Sequence, residues 1–354
     1  LKIERVETFQ KTIPLRHVTD SISHEIVQVF VKVTDAEGRV GLGEADTTPP
    51  TGPSAAELIR TLEEDLGRVI VGLHPLERSI LLRSLEDSGD TPVAARCALD
   101  LALHDLAGKI MGVSAVTLFG GPCTRKVPLV YTLAGGPLPE IIEAALQARD
   151  RGFETVKFVV GEEPDQDLKR VAGLREAVGP DLRIRVCGRE TYSLVTATRV
   201  LKRMEEFGLE LVEQPLHRDN LEGMSELCSL LDTPVMATTA IASPADALHV
   251  FRKGAADILG VGCGRVGGLY PAFRIARMAA AAALPCCVSG LPAGSVGTVA
   301  DLLVAAGGSV HGHAAEIPGP LVLEAAGFAD PFLDVSTADE GFLMVPTGPG
   351  LGLG

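Results

Sequence analysis

Short apolar runs alternate along the chain with longer stretches in which apolar residues recur every three or four positions, and the alternation changes character near residue 121. Before that point strands come first and helices follow. Residues 26–34 (IVQVFVKVT) alternate, DAEG supplies a turn and RVGLGEA returns, which predicts a hairpin with glycine at the tight position. Ser54 precedes AAELIRTLEEDLGRVI with Glu57 three residues on, a capping box. A second helical pattern covers 75–86, and a third covers 92–111 (PVAARCALDLALHDLAGKIM) with Gly112 as its stop. Strands followed by helices, segregated along the chain, predict a small α+β domain over residues 1–121.

From about Val127 the texture becomes a repeat. TVKFVVG (155–161), RIRVCGRE (183–190), GLELVEQP (208–215), PVMATTA (234–240) and ADILGVGCGRVGG (256–268) are runs too short for helices, and each leads into a helical pattern. VPLVYTLAG precedes them, PCCVSG follows, and SVHGHAAE ends the series. Strand starts recur every roughly 25–30 residues, the length of one β-α unit. Eight such strands predict an α/β fold, a (β/α)8 barrel over residues 122–320, with its active site at the C-terminal ends of the strands. The Gly- and Pro-rich segment 321–354 is expected to return to the first domain.

Composition narrows the function more than the fold. No run of about 18 apolar residues occurs, although hydrophobic residues make up 46% of the chain, so no membrane span is expected. A net charge of −14 and the lack of a Lys/Arg cluster argue against nucleic acid, and the absence of tryptophan argues against base stacking. The seven cysteines are odd in number and contain no CxxC pair, which points to a reducing, cytoplasmic setting. LKIERVETFQ reads as a strand rather than a secretory leader.

With those residues in hand, the whole chain resembles the enolase superfamily, in its mandelate racemase and muconate lactonising branch, which includes dipeptide epimerases and N-acylamino acid racemases. The motifs that carry the resemblance are RVGLGEA, ARCALDLALHDLAGKIMG, GFETVKFVVG, LVEQPL and GRVGGL. It implies an α+β capping domain over a modified barrel, a small carboxylic acid or amino acid derivative as substrate, and a homo-oligomer. It also implies proton removal next to a carboxylate, with the enediolate held on Mg²⁺ by three carboxylates and the proton moved by lysines. A dianionic intermediate needs a hard cation with oxygen ligands, which is why carboxylates serve.

Carried over position by position, much of that set is replaced. Of the second-strand K-x-K, the first lysine is Lys157 and the second falls on Val159. The three metal positions are Cys187, Glu213 and Thr238, with Thr239 beside the last; the asparagine near the first falls on Arg189. The sixth-strand lysine falls on Gly262, and the glutamate that many members carry after the seventh strand falls on Ala293. Mg²⁺ is therefore the family cofactor but is not expected here, and the site reads as rewritten on an intact scaffold.

The candidate catalytic residues are Lys157 as proton carrier, Glu213 as its partner, Arg189 and Cys187, with Arg265 as a second anchor for charge. Each has a plain alternative. A buried Glu213 needs a cation, either Lys157 or Arg189, and such a pair serves structure as well as substrate. Arg189 is a carboxylate fork or a solvated loop residue. Cys187 is a nucleophile activated by Arg189, a zinc ligand with Glu213 and His217, or a small buried side chain, the reading that also covers Cys263, Cys286 and Cys287. His311 and His313 share one side of the last strand, as a mouth acid or base or as hydrogen-bonded rim residues. Tyr192 donates a hydrogen bond or packs a loop. Residues 289–297 (SGLPAGSVG) form a substrate loop or a phosphate cradle. The capping loops 15–24 and 46–54 are expected to close over the substrate. Isomerase, epimerase or lyase chemistry on a small carboxylate follows, with a non-catalytic fold or binding pocket as the alternative.

Overall fold

Two cores form because the chain carries two different periodicities. The computed structural model describes residues 1–15, 25–47, 52–86, 91–161, 163–308, 312–323, 338 and 340–353. In the first domain, strands β1 (Ile3–Pro14), β2 (Glu25–Asp35) and β3 (Val40–Asp46) make an antiparallel sheet in the order β1-β2-β3. The alternating Val29, Val31 and Val33 of β2 turn one face inward against the helices. Ser54 caps α1 (Ala55–Arg60) by accepting from the Glu57 amide at 3.2 Å. A π-helical stretch (Thr61–Leu66) joins α1 to α2 (Gly67–Ile70), and α3 (Arg78–Glu86) and α4 (Val93–Met111) follow. Helix α4 lies directly on β3 because Gly43 has no side chain: a Cβ there would sit 1.8 Å from the Ala98 carbonyl oxygen.

The second domain starts with β4 (Lys126–Pro128) and β5 (Val130–Leu133), then alternates α5 (Leu138–Asp150), β6 (Thr155–Val159), α6 (Pro164–Val178), β7 (Arg183–Cys187) and α7 (Leu194–Met204). It continues through β8 (Leu211–Glu213), α8 (Leu221–Leu230), β9 (Val235–Ala237), α9 (Pro244–Lys253) and β10 (Ile258–Val261). Helices α10 (Cys263–Val266) and α11 (Leu269–Ala281), strand β11 (Cys286–Val288) and helices α12 (Ser295–Gly307) and α13 (Gly319–Val322) complete it. Seven parallel strands run in the order β11-β10-β9-β8-β7-β6-β5. The ring closes through Ala315 and Glu316, which bridge Leu129 on one side and Ser289 on the other. The fold is thus an α/β barrel of the (β/α)8 type beneath an α+β cap, as the repeat predicts.

The C-terminal segment ties the two parts together. Strand β12 (Phe342–Met344) pairs antiparallel with β4. Farther on, the Leu351 amide donates to Asp105 on α4 at 2.8 Å, and the other oxygen of that carboxylate accepts from Leu42 on β3 at 2.8 Å. Among the described residues no helix is long and apolar enough to cross a membrane.

Candidate active site

Side chains alternate in and out along a barrel strand, so residues two apart stack in layers inside it. Leu211, Met236, Ile258 and Cys287 form an apolar layer. Two residues on, at the C-terminal ends, stand Glu213, Thr238 and Ser289, with Cys187 in register with Glu213. These four are buried, and they meet at one mouth.

Lys157 and Arg185 are register partners on β6 and β7 and part in opposite directions. Lys157 reaches up to the mouth. Its ammonium donates to Glu213 Oε2 at 3.1 Å and pairs with Glu316, and it is only 7% exposed. Burial favours the neutral amine, but the charges of Glu213 and Glu316 outweigh it and raise the Lys157 pKa well above the ordinary range. Glu213 is affected in the complementary direction: burial opposes its charge, yet Lys157, Arg265 and the Thr238 hydroxyl hold its pKa below the usual value. Ser289 Oγ completes the group, 3.1 Å from Glu316 Oε2 and 3.5 Å from Glu213 Oε1. The two carboxylates thus favour the ammonium form of Lys157.

The remaining candidates fall on both sides of this cluster. Arg189 is exposed, at φ 47° in the turn after β7, and its backbone N–H serves Cys187; the partner of Glu213 is Lys157, not the Arg189 guanidinium. Cys187 is buried with its pKa pushed up to about 12 by burial and by the Glu213 charge, which favours the thiol form over the thiolate. His217 is exposed beside Asp219 at 3.5 Å, away from Cys187. Among the described residues no group of three His, Cys, Asp or Glu side chains is arranged around a common metal position. Arg265 does belong to the mouth: Nη2 lies 3.5 Å from the Ser289 carbonyl, and its buried Nε has no hydrogen-bond partner among the described residues.

His313 is not at the mouth. It precedes the closing residues of the barrel and pairs with Glu210 at 3.0 Å, at the opposite end of β8 from Glu213; His311 lies outside the described residues. The Tyr192 hydroxyl donates to Asp167 on α6 at 3.4 Å. Of the capping loops, residues 16–24 and 48–51 lie outside the described residues.

Two residues were not anticipated. Glu316 supplies the second carboxylate of the mouth from the last strand, whereas the family pattern directs attention to Ala293; the acid ending the apolar HAAE run is the signal that marks it. Glu44, from the capping motif RVGLGEA, fills the supposed phosphate cradle. Its carboxylate accepts from the amides of Gly294 at 2.6 Å and Gly297 at 2.9 Å, at the start of α12. The loop after β11 is thereby held by the capping domain, with the Gly294 and Gly297 amides engaged by Glu44.

Burial raises the Glu44 pKa from 4.5 to about 7, against the lowering effect of those two amides. The folded protein therefore keeps a proton that the unfolded chain releases between pH 4.5 and 7. The associated stability is present below that window and is lost as pH rises through it, about 3 kcal/mol in all. Urea unfolding from pH 5 to pH 8 is expected to show this decline in the native protein and not in Glu44→Gln.

Non-glycine residues with positive φ gather at this end too. Arg189, Glu190 and Gln214, at φ 47°, 66° and 34°, all follow β7 or β8. Such strain persists where surrounding contacts enforce it, commonly at functional mouths. Gln214 is held by its Oε1, which accepts from Thr238 and Ala240 at 2.9 and 3.2 Å. Glu190 is held by Arg218 at 2.8 Å.

A capped (β/α)8 barrel with ionised groups converging at the C-terminal ends of its strands defines a class of small-molecule enzyme folds. Residues 2–120 match the N-terminal domain of the mandelate racemase/muconate lactonizing enzyme family and residues 140–354 match the enolase C-terminal domain-like family, so the chain belongs to the mandelate racemase/muconate lactonizing branch of the enolase superfamily. It is 31% identical to muconate cycloisomerase 1 of Rhodococcus opacus, covering 100% of this chain and 96% of that one. It is 27% identical to the L-Ala-D/L-Glu epimerase of Clostridium acetobutylicum, over 96% and 94% of the two chains. The dipeptide epimerase of Enterococcus faecalis V583, solved with Mg and the dipeptide L-Leu-L-Tyr, superposes with a TM-score of 0.91 at 26% identity over 99% of both chains.

Proposed function

We propose that this protein is an isomerase-type enzyme acting on a small carboxylic acid or amino acid derivative at the barrel mouth, without the Mg²⁺ site usual in its family. Relatives named as cycloisomerases, epimerases and racemases support the reaction class. The observation that carries the reading is the buried contact of Lys157 with Glu213 and Glu316, with Arg265 beside them.

The donor set at the family's cation positions does not fit Mg²⁺. Cys187 is a protonated thiol, Thr238 a hydroxyl engaged with Glu213, and Glu213 itself is committed to Lys157. A small divalent ion with strict octahedral demands finds one carboxylate where its relatives' pattern supplies three. In the proposed reaction Arg265, with its spare Nε, anchors the substrate carboxylate. Removing the proton beside that carboxylate adds a second negative charge, which Arg265 and Lys157 meet in a site shielded from water. Glu316 is the carboxylate placed to take the proton, held by Ser289 and Lys157.

A second reading is favoured by a specific observation: Val159 and Gly262 occupy both positions where the family places its proton-transferring lysines, and the surviving Lys157 is locked as a cation. Under it the mouth binds a carboxylate without turnover. Incubating acids and dipeptides in D₂O with the protein, with Mg²⁺ or with EDTA, and following the α-proton by NMR separates the readings. The first expects exchange that EDTA does not abolish, the second expects a raised melting temperature with a bound acid and no exchange. Exchange that requires Mg²⁺ would overturn both.

A further inference from the structure

We infer that Lys157 is a resident cation: its ammonium, between Glu213 and Glu316, holds the place of a divalent ion, and the two glutamates form a latent metal site that this side chain keeps closed. The inference rests on the metal-free part of the function proposed above and assigns that property to one residue.

Glu213 ends β8 and Glu316 belongs to the short closing strand, so their carboxylates reach the mouth from different sides of the ring. Both are buried, at 5% and 9% exposure. Two such carboxylates cannot both stay ionised unless positive charge stands between them. Lys157 Nζ touches one oxygen of each, and Ser289 Oγ lies within reach of the remaining oxygen of each. Four oxygens of two carboxylates thus surround one ammonium and one hydroxyl. Lys157 contributes one positive charge and Arg265 another, which together equal the charge of a divalent ion and balance the two glutamates. An ammonium is satisfied by three acceptors without the octahedral shell that Mg²⁺ requires.

The backbone favours the same assignment. Lys157 sits one layer below the mouth, in register with Arg185, so its stem must extend upward to bring the charge level with Glu213. A competing lysine from β10 is excluded, because a Cβ at Gly262 would meet the Ser289 carbonyl oxygen at 2.5 Å. The ammonium between the two glutamates is therefore supplied by β6.

Mn²⁺ titration followed by electron paramagnetic resonance tests this, with thermal melting in the same samples. Wild type is expected to take up no Mn²⁺ and to show no change in melting temperature up to about 1 mM, the weak end of protein sites for divalent ions. Lys157→Met is expected to bind one Mn²⁺ per chain and to melt at a higher temperature as Mn²⁺ is added, by mass action. The triple variant Lys157→Met/Glu213→Gln/Glu316→Gln is expected to lose both effects. Because Lys157→Met leaves two carboxylates uncompensated, it is prepared with and without Mn²⁺, and folding only in its presence is the expected result in a second form. Stoichiometric binding by wild type, or a Lys157→Met protein that neither binds Mn²⁺ nor gains stability from it, would overturn the inference. None of these readouts involves turnover, so a failed proton-exchange experiment leaves them intact, and the converse holds.

Discussion

Lys157→Ala is expected to lower the free energy of unfolding by about 3–5 kcal/mol, the cost of breaking a buried ion pair from one side. The substitution removes a 7% exposed ammonium and leaves Glu213 and Glu316 facing each other across the space it vacated. Their repulsion in a poorly solvated site drives at least one of them to take up a proton. Urea unfolding at pH 7 measures the loss. The companion Lys157→Met/Glu213→Gln removes one charge of each sign and refills the volume, so it is expected to recover a large part of the stability, since replacing both partners of a buried pair is far less costly than orphaning one. If the single and double variants lose the same stability, neither the charge balance nor the volume that the double variant restores is what Lys157 contributes, and the ion-pair account fails. Proton exchange, if the native protein shows it, is expected to disappear in both variants, because neither keeps two cations against the developing charge.

The barrel was legible because each β-α unit carries its own local evidence: a short apolar run, a polar turn and a helical period, repeated until the ring closes. The pair of Lys157 with Glu213 was legible for a related reason, since a charged residue at the end of a buried strand must find its opposite. Contacts set by the third dimension were not. Glu44 and Gly294 lie 250 residues apart, and nothing near SGLPAGSVG announces that a capping-domain carboxylate has taken its amides. Arg189 and His313 each carried two readings that only the third dimension separates. The first sits on a turn whose positive φ accompanies a side chain left exposed, and the second precedes its strand, which puts it at the far end of the barrel. Glu316 escaped because its strand is reduced to two bridging residues, too short to display an alternation.

Arg185→Met is expected to cost a comparable amount, about 3–5 kcal/mol at pH 7, although the residue lies away from the mouth. Arg185 is 1% exposed inside the barrel. Its Nε and Nη2 donate to the two oxygens of Glu210 at 2.6 and 3.2 Å, and Nη1 donates to the Ala314 carbonyl at 3.0 Å. The bidentate fork closes the lower end of the barrel, with His313 on the other side of the same carboxylate. Methionine keeps the apolar stem of the side chain but leaves Glu210 with His313 alone and the Ala314 carbonyl without this donor. The pH dependence gives the effect a signature that lost packing would not produce. Burial by itself would raise the Glu210 pKa, but the hydrogen bonds and charges of His313 and Arg185 bring it from 4.5 down to about 2. A carboxylate with a depressed folded-state pKa contributes stability above pH 4.5 that is lost as pH falls through that range to about 2. The native protein is therefore expected to lose stability steeply along this acid limb and Arg185→Met less so, with the gap between them narrowing as Glu210 is protonated. Unfolding midpoints in urea from pH 7 down to the lowest pH at which the native protein stays folded measure the gap, and a gap that stays constant across the acid limb would mean that Arg185 supports the barrel by volume and not by charge.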